Sequence, residues 1–440
     1  MSTFLLELLS EEVPARMQEG ARIQIRDLFI EKLQAHGVTA EEITVFSTPR
    51  RLALLAYGLP TTAPSMGEEI KGPPESAKKE AIDGFCRKYG LSKAQLEVRE
   101  HKGRPTIFGV LKTPETSLVE VLSRTIPEIV SGFSWPKSMR WGEDSISTDS
   151  MRWVRPLKGI LALFDKTLVE CRVGNIVSTQ TTYGHRFLSP GPIEIFDPDS
   201  YVKKLKRAFV VVDHNEREKM IMSGARTAAE KEGLNLRDDQ DLAKENAGLT
   251  EWPITLLGTF EEEFLRVPPE VISLTAALNQ KYFVCEKNPG ELANHFVFTA
   301  NIAPKNISST KEGNVKVLTA RLADAKFFWE IDKKRPLSQQ LEKLTRITFH
   351  DKLGTLFDKS QRVAKLAREL CEKGVINADP DLAEKAGMLC KADLASEMVG
   401  EFPELQGIMG GYYAAEEGLP DEVSCAIRDH YKPVGFGDVV

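Results

Sequence analysis

Along the first sixty residues the apolar positions fall into short runs rather than helical stripes. Phe4 to Leu9 is one such run and reads as a strand. Ser10 then offers a helix cap, with Glu11 and Glu12 favourably placed near the positive end of the helix dipole. ITVFSTPRRLALLAYGL, residues 43–59, holds two β-type runs around Thr-Pro-Arg-Arg and predicts a strand pair. Residues 60–78, rich in Pro, Gly and small polar residues, read as a loop or linker. Helical patterns surround Phe85 and cover 118–129. Strand patterns return over 152–187, and the prolines of 190–198 interrupt them. Residues 201–233 read as a long charged helical region, 252–303 as mixed α and β, and 303–314 as a polar loop. Beyond Val315 no strand is expected, and 337–427 reads as successive helices with short Gly and Pro breaks.

Within VKVLTARLADAKFFWEIDKKR, residues 315–335, Leu318, Leu322, Ala325 and Trp329 fall on one stripe at 100° per residue, with Phe328 at its edge. That stripe predicts core. Phe327 points away from it, beside an Arg- and Lys-bearing face. A basic helix offering an aromatic to RNA is one reading; an aromatic that meets another domain is the commoner outcome. The chain as a whole runs from mixed α+β to all-α, and the divisions expected are 1–150, 151–335 and 336–440. No repeat of 20–50 residues appears.

Composition narrows the class. A chain of 440 residues exceeds one ordinary core and should hold two to four domains. Apolar residues at 42% and charged residues at 28% describe a soluble globular protein. No apolar run approaches the ~20 residues of a membrane span, and the first residues lack the basic segment of a signal peptide. A cytoplasmic protein without a membrane partner is expected. The six cysteines form no Cys-x-x-Cys pair, so reduced, mostly buried thiols are expected. The net charge of −6 argues against a generic polyanion binder but leaves room for a locally basic face. The clusters at 203–207 and 316–335 are candidates for one.

Chemistry-bearing motifs are few. GHRFL at 184–188 offers His185 and Arg186 to a phosphate. LNQKYFV at 278–284 places Lys281 before an aromatic strand. FHDKLGTLFDK at 349–359 contains the His-Asp doublet of metal-dependent HD-type phosphohydrolases, whose chemistry needs several ligands converging on the metal. Further on, Asp393 follows Ala392 rather than a histidine, so His350 and Asp393 make a poor metal set. No phosphate-binding loop, dinucleotide fingerprint, nucleophile elbow or H-E-x-x-H is present. The sequence SMRWGEDSISTDSMRWVRP, 138–156, repeats Met-Arg-Trp. Trp141 and Trp153 read as core aromatics. Lys137, Arg140 and Arg155 are candidates for exposed charge, although an Arg in a fixed motif often pairs with a carboxylate.

Ten segments taken in order resemble one family: LLELLSEEVPARM, STPRRLALL, WPKSMRWG, RWVRPL, GHRFL, EWP at 251–253, NQKYF, RLADAKFFWE, FHDKLGTLFDK and KADLASEMVGEFPELQGIMGGYYA. They resemble the β subunit of the heterotetrameric bacterial glycyl-tRNA synthetase. The resemblance implies a multidomain α+β chain, B3/4-like in part, followed by an all-α HD-like helical domain. It implies a non-catalytic subunit that binds glycine tRNA and assembles as α2β2 with an alpha subunit, where ATP and Mg would be bound. This chain would hold no cofactor, metal or catalytic residue. Family members continue beyond the point where this chain stops, so an N-terminal portion is expected. Positions that depart from the family pattern are Thr319 and Gly411, in place of Arg, and Val315, in place of an acid. The candidate RNA contacts are Arg50, Arg51, Lys137, Arg140, Arg155, His185, Arg186, Lys281, Arg321 and Lys326. An HD-type phosphohydrolase and a scaffold subunit without RNA contact are the alternatives.

Overall fold

The run Phe4–Leu9 is apolar but for buried Glu7, without alternation, because the strand it forms is covered on both sides. The computed structural model describes residues 2–64, 67–101, 103–112, 115–148, 150–303, 306–435 and 438. It opens with β1 (Ser2–Ser10), α1 (Ala15–Gln34), β2 (Glu42–Thr48) and β3 (Arg51–Leu59). β1 lies between β3 and the strand Leu157–Phe164, antiparallel to both, with Leu6 opposite Leu54 on one side and Ala162 on the other. The sheet order is Arg172–Val173, Ile176–Thr179, Leu157–Phe164, β1, β3, β2. Successive side chains of a strand point to opposite faces. Phe4, Leu6 and Leu8 therefore join α1 and the helix Leu118–Ser131 in one core, where Phe4 stacks on Phe29 at 5.5 Å. Leu5 joins Ala53, Leu161, Tyr201 and Leu205 in a second.

The chain divides into two compact units. One holds Met1–Ser223, Ala243–Ile254 and Thr299–Ala303; the other holds Gly224–Leu242, Thr255–Phe298 and Pro304–Val440. In the first, a small sheet pairs Gly67–Pro74 and Leu96–His101 with Arg104–Lys112 and packs on the helix Lys79–Tyr89 through Phe85, Leu91 and Ile107. The expected linker at 60–78 is thereby corrected. Ile70 pairs with Gly109, so a partner strand in the chain beyond it carries a Gly- and Pro-rich segment into a sheet.

In the second unit the sheet order is Asn235–Leu236, Phe283–Asn288, Glu291–Ala300, Ile254–Thr259. Its Tyr282, Phe296 and Phe298 share a core with Leu318, Leu322, Ala325 and Trp329 of the helix Ile307–Asp332. The predicted stripe is the buried one, and Phe327 is 60% exposed. That helix starts inside the expected polar loop because the Asn306 side chain accepts the Ser309 N–H at 3.2 Å and caps it. The later region is helical, with one correction: Thr348–His350 and Gly354–Thr355 form a hairpin. Gly411 marks a close crossing of two helices, Ile408–Glu416 and Asp421–Asp429. A Cβ there would lie 2.7 Å from the Cβ of Arg428. Among the described residues, no helix is long and apolar enough to cross a membrane.

Candidate nucleic-acid interface

The doubled Met-Arg-Trp is two arms of one bridge. Met139 N–H donates to the Trp153 carbonyl at 2.8 Å, and Trp153 N–H donates back at 3.2 Å. Trp153 is fully buried and packs on Phe133 and Trp135 with ring centres 4.8 and 5.0 Å away. Trp141 is half-buried against the same core. The bridge brings the basic residues of both arms together. Lys137 is exposed. Arg140 donates from Nη2 to the Thr148 carbonyl at 2.9 Å, and Arg152 from Nε to Ser138 Oγ at 3.2 Å. Arg155 is exposed and donates to the Val154 carbonyl at 2.9 Å. None of these four bonds or positions commits a carboxylate to the group.

Arg50, Arg51, His185 and Arg186 also meet, but around acids. Arg51 is 1% exposed. Its Nε donates to Glu251 Oε1 at 3.2 Å, its Nη1 to Glu7 Oε2 at 3.4 Å and its Nη2 to the Tyr183 carbonyl at 3.0 Å. Burial works against the charge of Arg51, yet Glu251 and Glu7 outweigh it and hold its pKa above the ordinary value. Burial likewise pushes the Glu251 carboxyl up, and Arg51, with the Thr48 hydroxyl at 2.7 Å, brings it below its usual range. Glu7 also accepts from the Thr182 hydroxyl and, at 2.5 Å, from the Tyr201 hydroxyl. His185 is 1% exposed, its Nδ1 accepting the Phe187 and Leu188 N–H groups at 3.3 and 3.2 Å.

Arg51 and His185, both candidate RNA contacts, lie buried inside the first unit. Arg50 is largely buried, 4.0 Å from Glu251. Arg186 is exposed but paired with Glu11 at 2.7 Å. Thus STPRR, EWP and the Glu7 of LLELL, three separate motifs, are parts of one interior ion network.

Sequence reasoning missed its companion, Arg217. That guanidinium is buried and donates to the carbonyls of Ser47, Val211, Val212 and Ala247 at 2.7, 2.6, 3.1 and 2.8 Å. Burial lowers its pKa to about 10. The only sequence signal was a basic residue in a charged helix, which any solvated face also shows.

In the second unit Lys326 pairs with Glu263 at 2.6 Å, and Lys281, at φ +62°, donates to the Leu278 carbonyl at 2.8 Å. Arg321 is exposed on the same helix as Phe327. His350 is exposed in the hairpin and accepts the Lys352 N–H at 3.1 Å. Asp393 is buried and accepts the Gly407 and Gly410 N–H groups at 2.5 and 3.1 Å. Among the described residues, no group of three or more His, Cys, Asp or Glu is arranged to hold a metal ion.

These features define a class: a multidomain α+β protein whose sequence motifs mostly build its interior and leave a short basic, aromatic-lined surface near residues 137–155. The family follows from comparison with known proteins. The chain matches the glycyl-tRNA synthetase beta subunit family over residues 4–440 and belongs to it. The glycine–tRNA ligase beta subunit of Phenylobacterium zucineum is 44% identical over 446 residues, covering all of this chain and 65% of that protein. The beta subunits of Cereibacter sphaeroides and Rhodospirillum centenum are 42% and 40% identical over the whole chain, covering 63% and 65% of their own lengths. The chain thus spans a little under two thirds of these relatives.

Proposed function

We propose that this chain binds glycine tRNA and assembles with an alpha subunit as part of an ATP-dependent glycine–tRNA ligase. The observation that carries this reading is the family match across residues 4–440. In it, the adenylate forms on the alpha subunit, with ATP and Mg held there, and the assembly is α2β2 in the cytoplasm. This chain contributes orientation: holding the tRNA so that its 3′ end reaches the adenylate converts a bimolecular encounter into a positioned one. The later helical region is read as HD-like without its metal chemistry, a reading supported by Asp393 being bound by backbone amides.

Exposed Lys137, Arg155 and Arg321 supply cationic groups with no carboxylate partner among the described residues and are the candidate phosphate contacts. Two measurements test the reading. Sedimentation velocity with purified alpha subunit should give a faster species. A gel shift with glycine tRNA at about 50 and 200 mM salt should show binding that weakens steeply, as counterion release requires. Association without any RNA binding would replace this reading with that of a scaffold.

A further inference from the structure

The bridged Met-Arg-Trp segment forms one wall of a cavity of about 1120 Å³ in the first unit. Phe133, Trp135 and Trp141 line it together with Ser138, Arg152 and Arg172. Phe133 and Trp135 stack with ring centres 4.8 Å apart, and Trp135 stands edge-on to buried Trp153. The aromatic wall is therefore fixed in place before any ligand arrives. The indole N–H of Trp135 is closed off from solvent and has no hydrogen-bond partner, a condition rare for a buried donor. Arg152 and Arg172 are exposed in the lining. The lining carboxylate Glu128 is already engaged by Lys32 at 2.8 Å, so the positive charge of the two arginines is not cancelled from within the wall.

An apolar ring platform and two exposed guanidinium groups are recognition elements of a nucleotide. The base stacks on an aromatic face and the phosphate meets the arginines. The volume exceeds what one base needs and accommodates a nucleotide with part of its neighbours. We infer that this cavity binds an unpaired ribonucleotide, with Trp135 and Trp141 as the base platform and Arg152 and Arg172 as the phosphate contacts. The inference deepens the RNA-binding reading above and rests on it, while a free mononucleotide offers the same chemistry.

The test uses the full chain and fluorescence anisotropy with three probes: labelled glycine tRNA, a labelled single-stranded ribo-oligonucleotide, and unlabelled nucleoside monophosphates as competitors. Trp135→Phe keeps an aromatic face but shortens the stacking platform that the indole provides. Arg172→Gln changes an exposed side chain and leaves folding intact. The expected result is a loss of about tenfold in oligonucleotide affinity in each variant, with a shallower salt dependence for Arg172→Gln. Ultraviolet crosslinks should fall within residues 133–152 or at Arg172. If tRNA binds and both variants bind the oligonucleotide as the parent does, the inference is overturned and the RNA-binding reading stands. If monophosphates bind in a Trp135-dependent way but tRNA does not, the cavity is a nucleotide site and the RNA-binding reading fails. If no probe binds, both fail.

Discussion

Replacing Arg51 by Met removes the cation at the centre of the interior network and keeps most of its volume. Two carboxylates, Glu7 and Glu251, each 1% exposed, then lose their common partner. Breaking a buried pair from one side costs about 3–5 kcal/mol, because the remaining charge is left desolvated. Here the lower end is expected. Glu7 keeps the Thr182 and Tyr201 hydroxyls, and Glu251 keeps Thr48 and a distant Arg50. At a urea slope of about 3 kcal/mol/M, a loss of ~3 kcal/mol lowers the unfolding midpoint by about 1 M.

The pH dependence supplies a second readout. Glu251 has a folded pKa below its ordinary value, so its contribution is present at neutral pH and is lost as pH falls through the folded value. The gap between parent and Arg51→Met should therefore shrink as the solution is acidified below about pH 4 and Glu251 protonates. Adding Glu7→Gln and Glu251→Gln to Arg51→Met should restore part of the loss, since no buried charge remains. A change below about 0.5 kcal/mol for Arg51→Met alone, the size of an ordinary surface substitution, would refute the network as an interior charge assembly.

Asp393 gives the opposite sign. Burial raises its carboxyl pKa to about 6, so the folded chain binds more protons than the unfolded chain between about pH 4 and 6, and stability falls as pH rises through that window. Asp393→Asn should remove this dependence, worth up to about 3 kcal/mol; urea midpoints whose difference from the parent stays constant from pH 4.5 to 7 would refute it. Gly387→Ala should destabilise by about 1–3 kcal/mol, because the new Cβ would lie 2.8 Å from the Ala364 Cα, which is backbone and has little room to yield. Gly313→Ala, with nothing within 4 Å, should stabilise the helix Ile307–Asp332 by up to about 1 kcal/mol; a melting temperature that rises for Gly387→Ala, or falls for Gly313→Ala, would refute the assignment concerned. If Arg321 meets a tRNA phosphate, Arg321→Gln should lower affinity and reduce the salt slope by about 0.9. Lys326→Gln should do less, since Lys326 is held by Glu263 at 2.6 Å; an unchanged slope for Arg321→Gln would make that residue structural.

Periodicity made the local elements legible. β1, the pair β2–β3 and the stripe Leu318, Leu322, Ala325, Trp329 could all be written down before any coordinates, since burial of one face imposes a repeat that the chain carries locally. The order of the motifs pointed to the family for the same reason: both are properties of neighbouring residues. What escaped were relations between distant ones. The segment Gly67–Pro74 has the composition of a linker and becomes a strand through pairing with Arg104–Lys112.

The arginines are the sharper case. In sequence, Arg51, Arg155 and Arg217 are alike. In the fold, Arg51 is met by Glu251, 200 positions along the chain, Arg217 is ringed by four carbonyls, and Arg155 stands in solvent. By itself the sequence determined most of the stretches that are strand or helix and the family they belong to. Only the tertiary structure decided which charges were interior and which were left for a partner, because desolvation and pairing depend on groups brought together across the chain rather than along it.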